Sequence, residues 1–410
     1  MNKKISIGLA LTLVILTAAV SFTLTMSYSQ QIYNKLLPDL AGRLDRRFEL
    51  EEVEGVVNAH YYYVDRINNN TLNNFLADGY ITGIGDSYSS YLTPAQYREY
   101  TDKLEGKKHG TGIVVGHKQD CLCIYVAGVA PGSPADKAGL EKGDSITKVD
   151  GNEVNLESYD ELLAKLEGMS LKTVTLTYKR GEKEKTTGLM IGYELQSVVF
   201  SLHEKIGYIR ITGFFKSTPG QLENAVKELT NKGAKAFIFD VRNTSEGTIK
   251  YAASTVDNLV PLGKEGSQVI ATAYKTPEDF KAKQNAYDTF PSTPKELTLA
   301  PMIVLINSKT SGPAELFAVT LTDYKKAELC GVRSAGNDSM QNLLPLKSGG
   351  AVLITVARVR PYVSESYEDG LQPHIEERLD ADKELILDRL SFEEDSQLQA
   401  AYESLMEGLE

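Results

Sequence analysis

Apolar runs alternate with helical patterns over the second half of the chain, and this alternation is the strongest constraint on the fold. Residues 236–241 and 302–306 are short runs of mostly apolar, strand-forming residues, which is typical of strands buried on both faces of a sheet. Residues 222–229 and 314–324, beside them, have helical spacing. We therefore predict a layered α/β core over residues 195–380.

The N-terminus carries the longest uncharged run. From Ile5 to Met26 there are 22 residues without a charge, which as a helix would be about 33 Å long against a hydrocarbon core of about 30 Å. Lys3 and Lys4 precede it, which keeps the N-terminus cytoplasmic. We expect an uncleaved single-pass anchor in the cell membrane, with the bulk of the chain extracytoplasmic. Secretion after signal cleavage is the alternative, although no clean cleavage site follows.

Composition excludes several classes of partner and site. The 410 residues have a net charge of −11 and no Lys/Arg-rich block, which argues against nucleic-acid binding. The three cysteines lack C-x-x-C spacing, so neither a disulfide framework nor a zinc site is expected. No metal and no cofactor is predicted, because the histidines are scattered: His60, His109, His117, His203 and His374.

A long ordered set of turn motifs resembles the PDZ domain. The motifs are Pro131-Gly132-Ser133-Pro134-Ala135, Ala138-Gly139-Leu140, Gly143-Asp144-Ser145-Ile146 and Val149-Asp150-Gly151. The resemblance implies a groove that takes a C-terminal peptide as an added strand and holds its carboxylate with backbone N–H groups. Gly110, Thr111, Gly112 and Ile113 best match that carboxylate-binding loop, in which glycine lets the backbone approach the ligand closely.

Nearly the whole chain is similar to the carboxyl-terminal processing peptidases, or tail-specific proteases. The matching segments are Gly85-Asp86-Ser87-Tyr88-Ser89-Ser90-Tyr91-Leu92, Asp240-Val241-Arg242-Asn243, Ala314-Glu315-Leu316-Phe317-Ala318 and Gly370-Leu371-Gln372-Pro373. The implied fold class is α/β, in an α+β multi-domain arrangement. Its expected parts are a membrane anchor (1–27), a helical region (28–105), a PDZ domain (106–194), a peptidase-like α/β core (195–380) and a helical tail (381–410).

This family cuts peptides with a serine nucleophile and a lysine base, and the lysine needs desolvation to lower its pKa. The family's serine turn ends in a glutamate, and its lysine precedes a glutamine by four residues. Aligned on Glu315 and Gln341, the chain has Gly312 at the nucleophile position and Asn337 at the base position. These positions are 25 residues apart, as in the family. Glycine carries no nucleophile, and asparagine has no basic lone pair. Of the family's serine, lysine and glutamine, this chain therefore keeps only the glutamine, as Gln341.

Two further changes fall on the oxyanion hole that the resemblance implies. Pro313 follows the nucleophile position, where the family usually supplies a backbone N–H that proline lacks. Loss of one such donor costs roughly 10²–10³ in rate in a well-studied protease. Glu246-Gly247 stands where the family has two glycines, and a carboxylate there would repel an oxyanion. We therefore expect no intact catalytic residue.

Ser311 is the candidate nucleophile outside this alignment. Ser311 precedes the nucleophile position by one residue, and no lysine stands at a position from which it could act as the base. Arg333 cannot replace such a lysine, because arginine does not give up its proton. We therefore favour an inactive, membrane-anchored pseudopeptidase that binds protein C-termini in a regulatory or scaffold role. The alternatives are an active serine-type endopeptidase with a rewired site and a structural subunit of an active relative. The resemblance implies self-association, as a homodimer or as a hetero-oligomer with a related peptidase.

Overall fold

A computed structural model describes residues 16–17, 20–29, 40–117, 122–168, 172–261, 269–293 and 297–409. The chain divides into two compact units, residues 1–75 and 76–410. Most of the expected anchor, residues 1–27, lies outside the described residues. The described stretch 20–29 is helical. Within the described part of the chain, no helix has both the length and the apolar character needed to cross a bilayer.

Helices dominate the chain before residue 105, as predicted. Their bounds are α1 (Leu40–His60), α2 (Asn69–Gly83) and α3 (Pro94–Leu104). The predicted start of α3 is confirmed, because Thr93 caps the helix by accepting from the Gln96 N–H and Pro94 takes the first helical position. A short strand, β1 (Ser90–Leu92), precedes α3.

The PDZ-like segment is a small sheet with two helices packed against it. Its strands are β2 (Lys107–Lys108), β3 (Ile113–Gly116), β4 (Ile124–Val129), β5 (Ser145–Val149), β6 (Asn152–Glu153), β7 (Thr173–Arg180), β8 (Lys183–Met190) and β9 (Tyr193–Glu194). The helices are α4 (Pro134–Lys137) and α5 (Tyr159–Glu167). The main sheet has the order β3-β4-β5-β7-β8, with β6 paired to β5, and β2 and β9 form a separate two-stranded sheet. Alternate residues of β7 point into the local core, as the period of two requires.

The predicted α/β core is present. Its central sheet has the order β10-β11-β12-β15-β16-β19, which is parallel except for β10. The strands are β10 (Val198–His203), β11 (Ile206–Ile211), β12 (Ala236–Asp240), β15 (Met302–Ile306), β16 (Ala327–Gly331) and β19 (Ile375–Glu376). The helices α6 (Thr218–Asn231), α7 (Ile249–Val256) and α9 (Pro313–Asp323) cover one face. Both faces of β12 are buried, which explains its continuous apolar sequence.

A second sheet contributes to the hydrophobic core that the central sheet shares with α6, α7 and α9. The sequence did not predict this sheet. Its strands are β1, β13 (Val269–Tyr274), β14 (Asp288–Pro291), β17 (Ser339–Pro345) and β18 (Ala351–Pro361), and the short helix α8 (Pro277–Ala282) follows β13. In this sheet β1 pairs antiparallel with β18, Ser90 opposite Leu353. The segment before the PDZ-like domain therefore completes a sheet of the core.

The C-terminal tail contains α10 (Ala381–Leu385) and α11 (Ser396–Glu407), where the sequence predicted a continuous helical stretch. Asp395 breaks the pattern by capping α11, with its carboxylate accepting from the Leu398 N–H at 3.0 Å. Buried Arg242 donates to Asp395 at 2.7 and 2.9 Å and to Asp240 at 2.6 and 3.0 Å. This charge cluster ties the tail to the sheet face opposite α9, where Ala401 and Leu405 are buried.

The cysteines differ from expectation in one respect. Cys123 is disulfide-bonded, although the spacing gave no reason to expect a disulfide framework. Cys330 is free and buried, and burial raises the pKa of its thiol to about 12. Cys330 is therefore an unreactive core residue at neutral pH.

Candidate functional site

Gly312 lies in the sharp turn between β15 and α9. Its backbone has φ 57° and ψ −110°, a conformation that strains any residue with a Cβ. Neighbouring residues hold the turn to the end of β12: the Ser311 N–H donates to the Thr244 carbonyl at 3.0 Å, and the Thr310 hydroxyl donates to the Val241 carbonyl at 3.0 Å. The chain thus keeps a strained strand-to-helix turn at the place where the family carries its nucleophile.

Asn337 lies opposite this turn, in the connection between β16 and β17. A Cβ built on Gly312 would lie 3.3 Å from Asn337 Nδ2. The amide orientation follows from Ser339, whose N–H needs an acceptor and donates to Asn337 Oδ1 at 3.0 Å. The structure therefore brings Gly312 and Asn337, the positions predicted for the nucleophile and the base, side by side.

Glu315 connects the two sides of the site. Its fully buried carboxylate accepts from the N–H groups of Gly312 at 2.9 Å, Gly336 at 2.7 Å and Asn337 at 2.8 Å, and from the Ser334 hydroxyl. Burial raises the pKa of Glu315, and these hydrogen bonds offset the shift only in part. Sequence reasoning used this residue as an alignment anchor and missed its structural role.

We expect Glu315→Gln to lower the free energy of unfolding by about 1–3 kcal/mol, because one acceptor oxygen becomes an NH₂ group that faces N–H donors. The raised pKa of Glu315 means that the wild-type contribution is present below the ordinary value of 4.5 and declines as pH rises through the folded-state pKa. The difference between wild type and variant should therefore be larger in acid than at neutral pH. Denaturant unfolding at both pH values measures this, and an equal or reversed difference would contradict it.

The oxyanion region keeps part of the family backbone. Pro313 is buried at the first position of α9 and offers no N–H. Gly247 has φ 115°, and a Cβ there would lie 2.1 Å from the Phe214 carbonyl oxygen. Glu246 is half-exposed and forms an ion pair with Lys103 at 2.5 Å. The expected repulsion by Glu246 is therefore partly compensated by a cation on α3.

Ser311 and Gln341 do not rebuild a catalytic group. Ser311 is half-buried, and among the described residues its hydroxyl makes no hydrogen bond, to a basic side chain or to any other. Gln341 lies on β17, where its amide nitrogen is 3.4 Å from the Thr355 hydroxyl. That long contact places the Gln341 side chain against β18.

Tyr88 belongs to the same neighbourhood, which sequence reasoning did not predict. Burial raises the pKa of Tyr88, with further contributions from the carboxylates of Glu315, Asp86 and Asp338. The Thr355 N–H donates to the Ser89 hydroxyl at 3.1 Å, which fixes this loop against β18. Only the pairing of β1 with β18 brings these distant residues near the site, so no local pattern could have revealed them.

A groove of about 240 Å³ lies in the PDZ-like domain, where the resemblance places the peptide. Gly110, Thr111, Gly112 and Ile113 all line it. The Gly110 N–H is already donated to the Gly168 carbonyl at 2.9 Å, so it is not available to a ligand. The Ala130 N–H donates to the Gly112 carbonyl at 2.8 Å, and the alternation of an antiparallel pair then turns the Ile113 N–H away from β4, toward the groove.

His109 borders the same groove, and its Nε2 forms a hydrogen bond with the carboxylate of Asp102 on α3. The described residues contain no cluster of three or more His, Cys, Asp or Glu side chains arranged to hold a metal ion.

The family models match the same two regions. The model for peptidase family S41 matches residues 205–377, and the PDZ domain model matches residues 125–180. The S41 match contains Gly312, Glu315 and Asn337. The PDZ match begins at Tyr125 and does not include the predicted carboxylate-binding loop, residues 110–113.

Curated relatives and a solved structure also resemble the chain. A probable CtpA-like serine protease of Staphylococcus aureus is 28% identical over 88% of this chain and 70% of its own length, and one of Staphylococcus haemolyticus is 26% identical over 91% and 73%. Several other S. aureus relatives are matched over 64% of their length, so the chain spans about two thirds of such proteins. The photosystem II D1 C-terminal processing protease aligns with a TM-score of 0.44 and 20% identity, over 79% of this chain and 88% of that one. Residues 205–377 therefore match a peptidase family S41 domain and residues 125–180 a PDZ domain, and the chain is similar to CtpA-like serine proteases.

Proposed function

We propose that this chain is a proteolytically inactive member of its family that binds the C-termini of extracytoplasmic proteins through its PDZ domain. The observation that carries the proposal is the proximity of position 312 to Asn337, whose Nδ2 lies 3.3 Å from a Cβ built on Gly312. A nucleophile attached there would lie beside the amide of Asn337, which has no basic lone pair. Pro313 also removes a backbone donor from the oxyanion hole.

Location outside the cytoplasm is part of this proposal. The uncharged run from Ile5 to Met26 supports an N-terminal anchor or signal. The disulfide at Cys123 supports an oxidising compartment, because cytosolic thiols are kept reduced. Fractionation of cells, followed by protease treatment of intact cells, tests the location: a chain that stays protected in the cytosol would contradict it.

The inactivity is tested with the purified chain, an unfolded protein and peptides with free C-termini. We expect no cleavage above background and no labelling by a serine-reactive fluorophosphonate. Ser311→Ala serves as the matched control, because Ser311 carries the hydroxyl nearest to Gly312 in the sequence. Sequence-specific cleavage by the wild type that Ser311→Ala abolishes would overturn the proposal.

The peptide groove is tested by Gly112→Ala. Gly112 has φ 83°, and a Cβ there would lie 2.2 Å from Ser133 Cβ, which caps α4. We expect this variant to weaken the binding of a fluorescent peptide with a free C-terminus at least about tenfold. Fluorescence anisotropy measures the affinity.

The matched control is Gly139→Ala, since Gly139 has φ 74° and no atom within 4 Å of its built Cβ. It carries similar backbone strain without the clash and should bind as the wild type does. Amidation of the peptide's C-terminus should weaken its binding to the wild type and to Gly139→Ala. Equal affinity of wild type and Gly112→Ala would place the binding site elsewhere.

A second candidate function is that of a structural subunit for an active relative. The exposed apolar side chains of α1 favour it: Phe48, Leu50, Val53 and Val56 are each 45–62% exposed. A stoichiometric companion should then co-purify from membranes, and charged substitutions at Val53 and Val56 should remove it. Purification of the chain without a companion would exclude this candidate.

A further inference from the structure

The strand β10 forms one edge of the central sheet, and nothing in its sequence protects that edge. It pairs with β11 and, among the described strands, with no other. Its residues, Val-Val-Phe-Ser-Leu-His, include no Asp, Glu, Lys, Arg or Pro, and they pair with β11 without a register shift. An uncharged, regular edge of this length is a template on which another strand can pair.

Other edge strands in the described part of the chain are protected. β8 carries Lys183 and Lys185, and β14 carries Asp288 and Pro291. β17 ends at Pro345 and contains a register shift. Charges, proline and irregular pairing all hinder the addition of a further strand. β3 borders the groove predicted to take a peptide, whereas β10 has no assigned occupant.

The pairing of β10 with β11 determines which backbone groups point outward. The Thr212 N–H donates to the Ser197 carbonyl at 2.9 Å, and the alternation of an antiparallel pair then turns the backbone groups of Val199 toward β11. Those of Phe200 and Leu202 consequently point away from the sheet. Their N–H and C=O groups have no partner among the described residues, so the edge offers donors and acceptors at strand spacing.

The sequence of β10 is complementary to a second copy of itself in antiparallel orientation. A register that places Phe200 opposite its own copy also pairs Val198 with Leu202, so that residues with outward backbone groups face each other. The same register pairs Val199 with Ser201 on the other face of the strand. Every pair across the two copies is then neutral, and aromatic and aliphatic pairs of this kind stabilise a sheet.

Burial also leaves room for an added strand. The side chains of Phe200 and Leu202 are half-buried against the core that α6 covers, and a second strand would cover part of their remaining surface. Gln221 on α6 accepts from the Val198 N–H at 3.2 Å. The Val198 carbonyl is left to accept from the Leu202 N–H of the second copy.

The charges that flank the strand suit antiparallel self-pairing. Exposed Glu194 precedes β10 and exposed Lys205 follows it. Antiparallel pairing brings the Lys205 end of one copy to the Glu194 end of the other, where unlike charges attract. The Glu204 carboxylate is held by α11, because it accepts from the Tyr402 hydroxyl at 2.8 Å. A second copy therefore brings matching charges that a peptide of unrelated sequence lacks.

We propose that two copies of this chain associate through β10, antiparallel about a two-fold axis at Phe200, so that their central sheets form one continuous sheet. The Phe200 N–H of each copy donates to the Phe200 carbonyl of the other. This inference goes beyond the proposed function and does not depend on it, since β10 does not line the PDZ groove.

Val199 and Ser201 provide matched variants, because both are exposed on the face of β10 opposite α6. In the proposed register, residue 199 of one copy faces residue 201 of the other. Val199→Glu/Ser201→Glu places like charges opposite each other and should raise the dissociation constant of the dimer at least about tenfold. Val199→Lys/Ser201→Glu places unlike charges there and should dimerise at least as tightly as the wild type.

Sedimentation velocity of the full chain in detergent, over a concentration series, measures the dissociation constant, and circular dichroism verifies that each variant is folded. Hydrogen exchange over residues 198–203 should slow as the concentration rises. A chain that stays monomeric throughout the series would overturn the proposal. Equal dimerisation of the two double variants would also overturn it and would move the association to another surface, such as α1. Slowed exchange caused by an added extended peptide in a monomeric chain would assign the edge to peptides instead.

Discussion

The variant Gly312→Ser/Pro313→Ala/Asn337→Lys is expected to gain peptidase activity that the wild type lacks. Serine at 312 places a hydroxyl beside residue 337, and alanine at 313 restores a backbone N–H at the start of α9. Position 337 is 93% buried, so a lysine there is partly desolvated, which lowers its pKa and frees a base. General-base catalysis contributes about 10²–10⁴ in rate, so turnover should rise at least about 100-fold above the wild type.

The single variant Gly312→Ser is the control, because it has a nucleophile without a base. We expect it to react weakly with a fluorophosphonate probe and the triple variant to be labelled stoichiometrically. Serine at φ 57° costs about 1–3 kcal/mol of strain, so the unfolding transition of each variant is measured alongside. A folded triple variant that neither labels nor cleaves would show that residues 312 and 337 are not the nucleophile and base positions.

Replacing Arg242 with leucine is expected to lower the free energy of unfolding by about 3–5 kcal/mol, because it removes the cation that the buried carboxylates of Asp240 and Asp395 share, and only Asp240 keeps a second one, Arg210 at 3.5 Å. Asp240 is fully buried and Asp395 nearly so. Burial alone would raise the pKa of Asp240, but Arg242 holds it below the ordinary value. That stabilisation is present above the ordinary pKa of 3.8 and is lost as pH falls through the lower folded-state value.

Denaturant unfolding measures the Arg242 effect, and hydrogen exchange should show that α11 loses protection first. Arg378→Leu is the control, since Arg378 is 79% exposed in its ion pair with Glu376 and should contribute at most about 1 kcal/mol. Adding Asp240→Asn and Asp395→Asn to Arg242→Leu should recover part of the loss. A change in the Arg242 variant no larger than in the control would contradict the buried-cluster interpretation.

The sequence predicted those features that have a local pattern. The apolar run of β12, the capped start of α3 and the turn glycines of the PDZ-like domain all follow from short-range chemistry. The second sheet could not be predicted in this way. The strand β1 is only three residues long, and its partner β18 lies far away in the sequence. The roles of Glu315 and Tyr88 were missed for the same reason, because each depends on contacts between distant segments.

The candidate site also combines features that the sequence pattern predicts with features that depend on contacts between distant segments. Motif spacing placed Gly312 and Asn337 together as expected positions, and the structure has them in contact distance. The surroundings of Gly312 depend on which side chains pack against it, and the sequence spacing of the motifs carries no information on this packing. The pairing of Glu246 with Lys103 likewise depends on where α3 packs.

The pairing of β1 with β18 has a consequence for the order of folding. It joins segments roughly 260 residues apart, whereas the strands of the PDZ-like domain pair within their own short stretch of chain. Contacts between distant segments form late, because the entropy of closing the loop must be overcome first. During synthesis the PDZ-like domain can therefore fold before its surroundings exist, while Ser90–Leu92 must wait, solvent-exposed, until the last quarter of the chain has emerged. The nascent chain thus completes its PDZ-like domain well before the core closes.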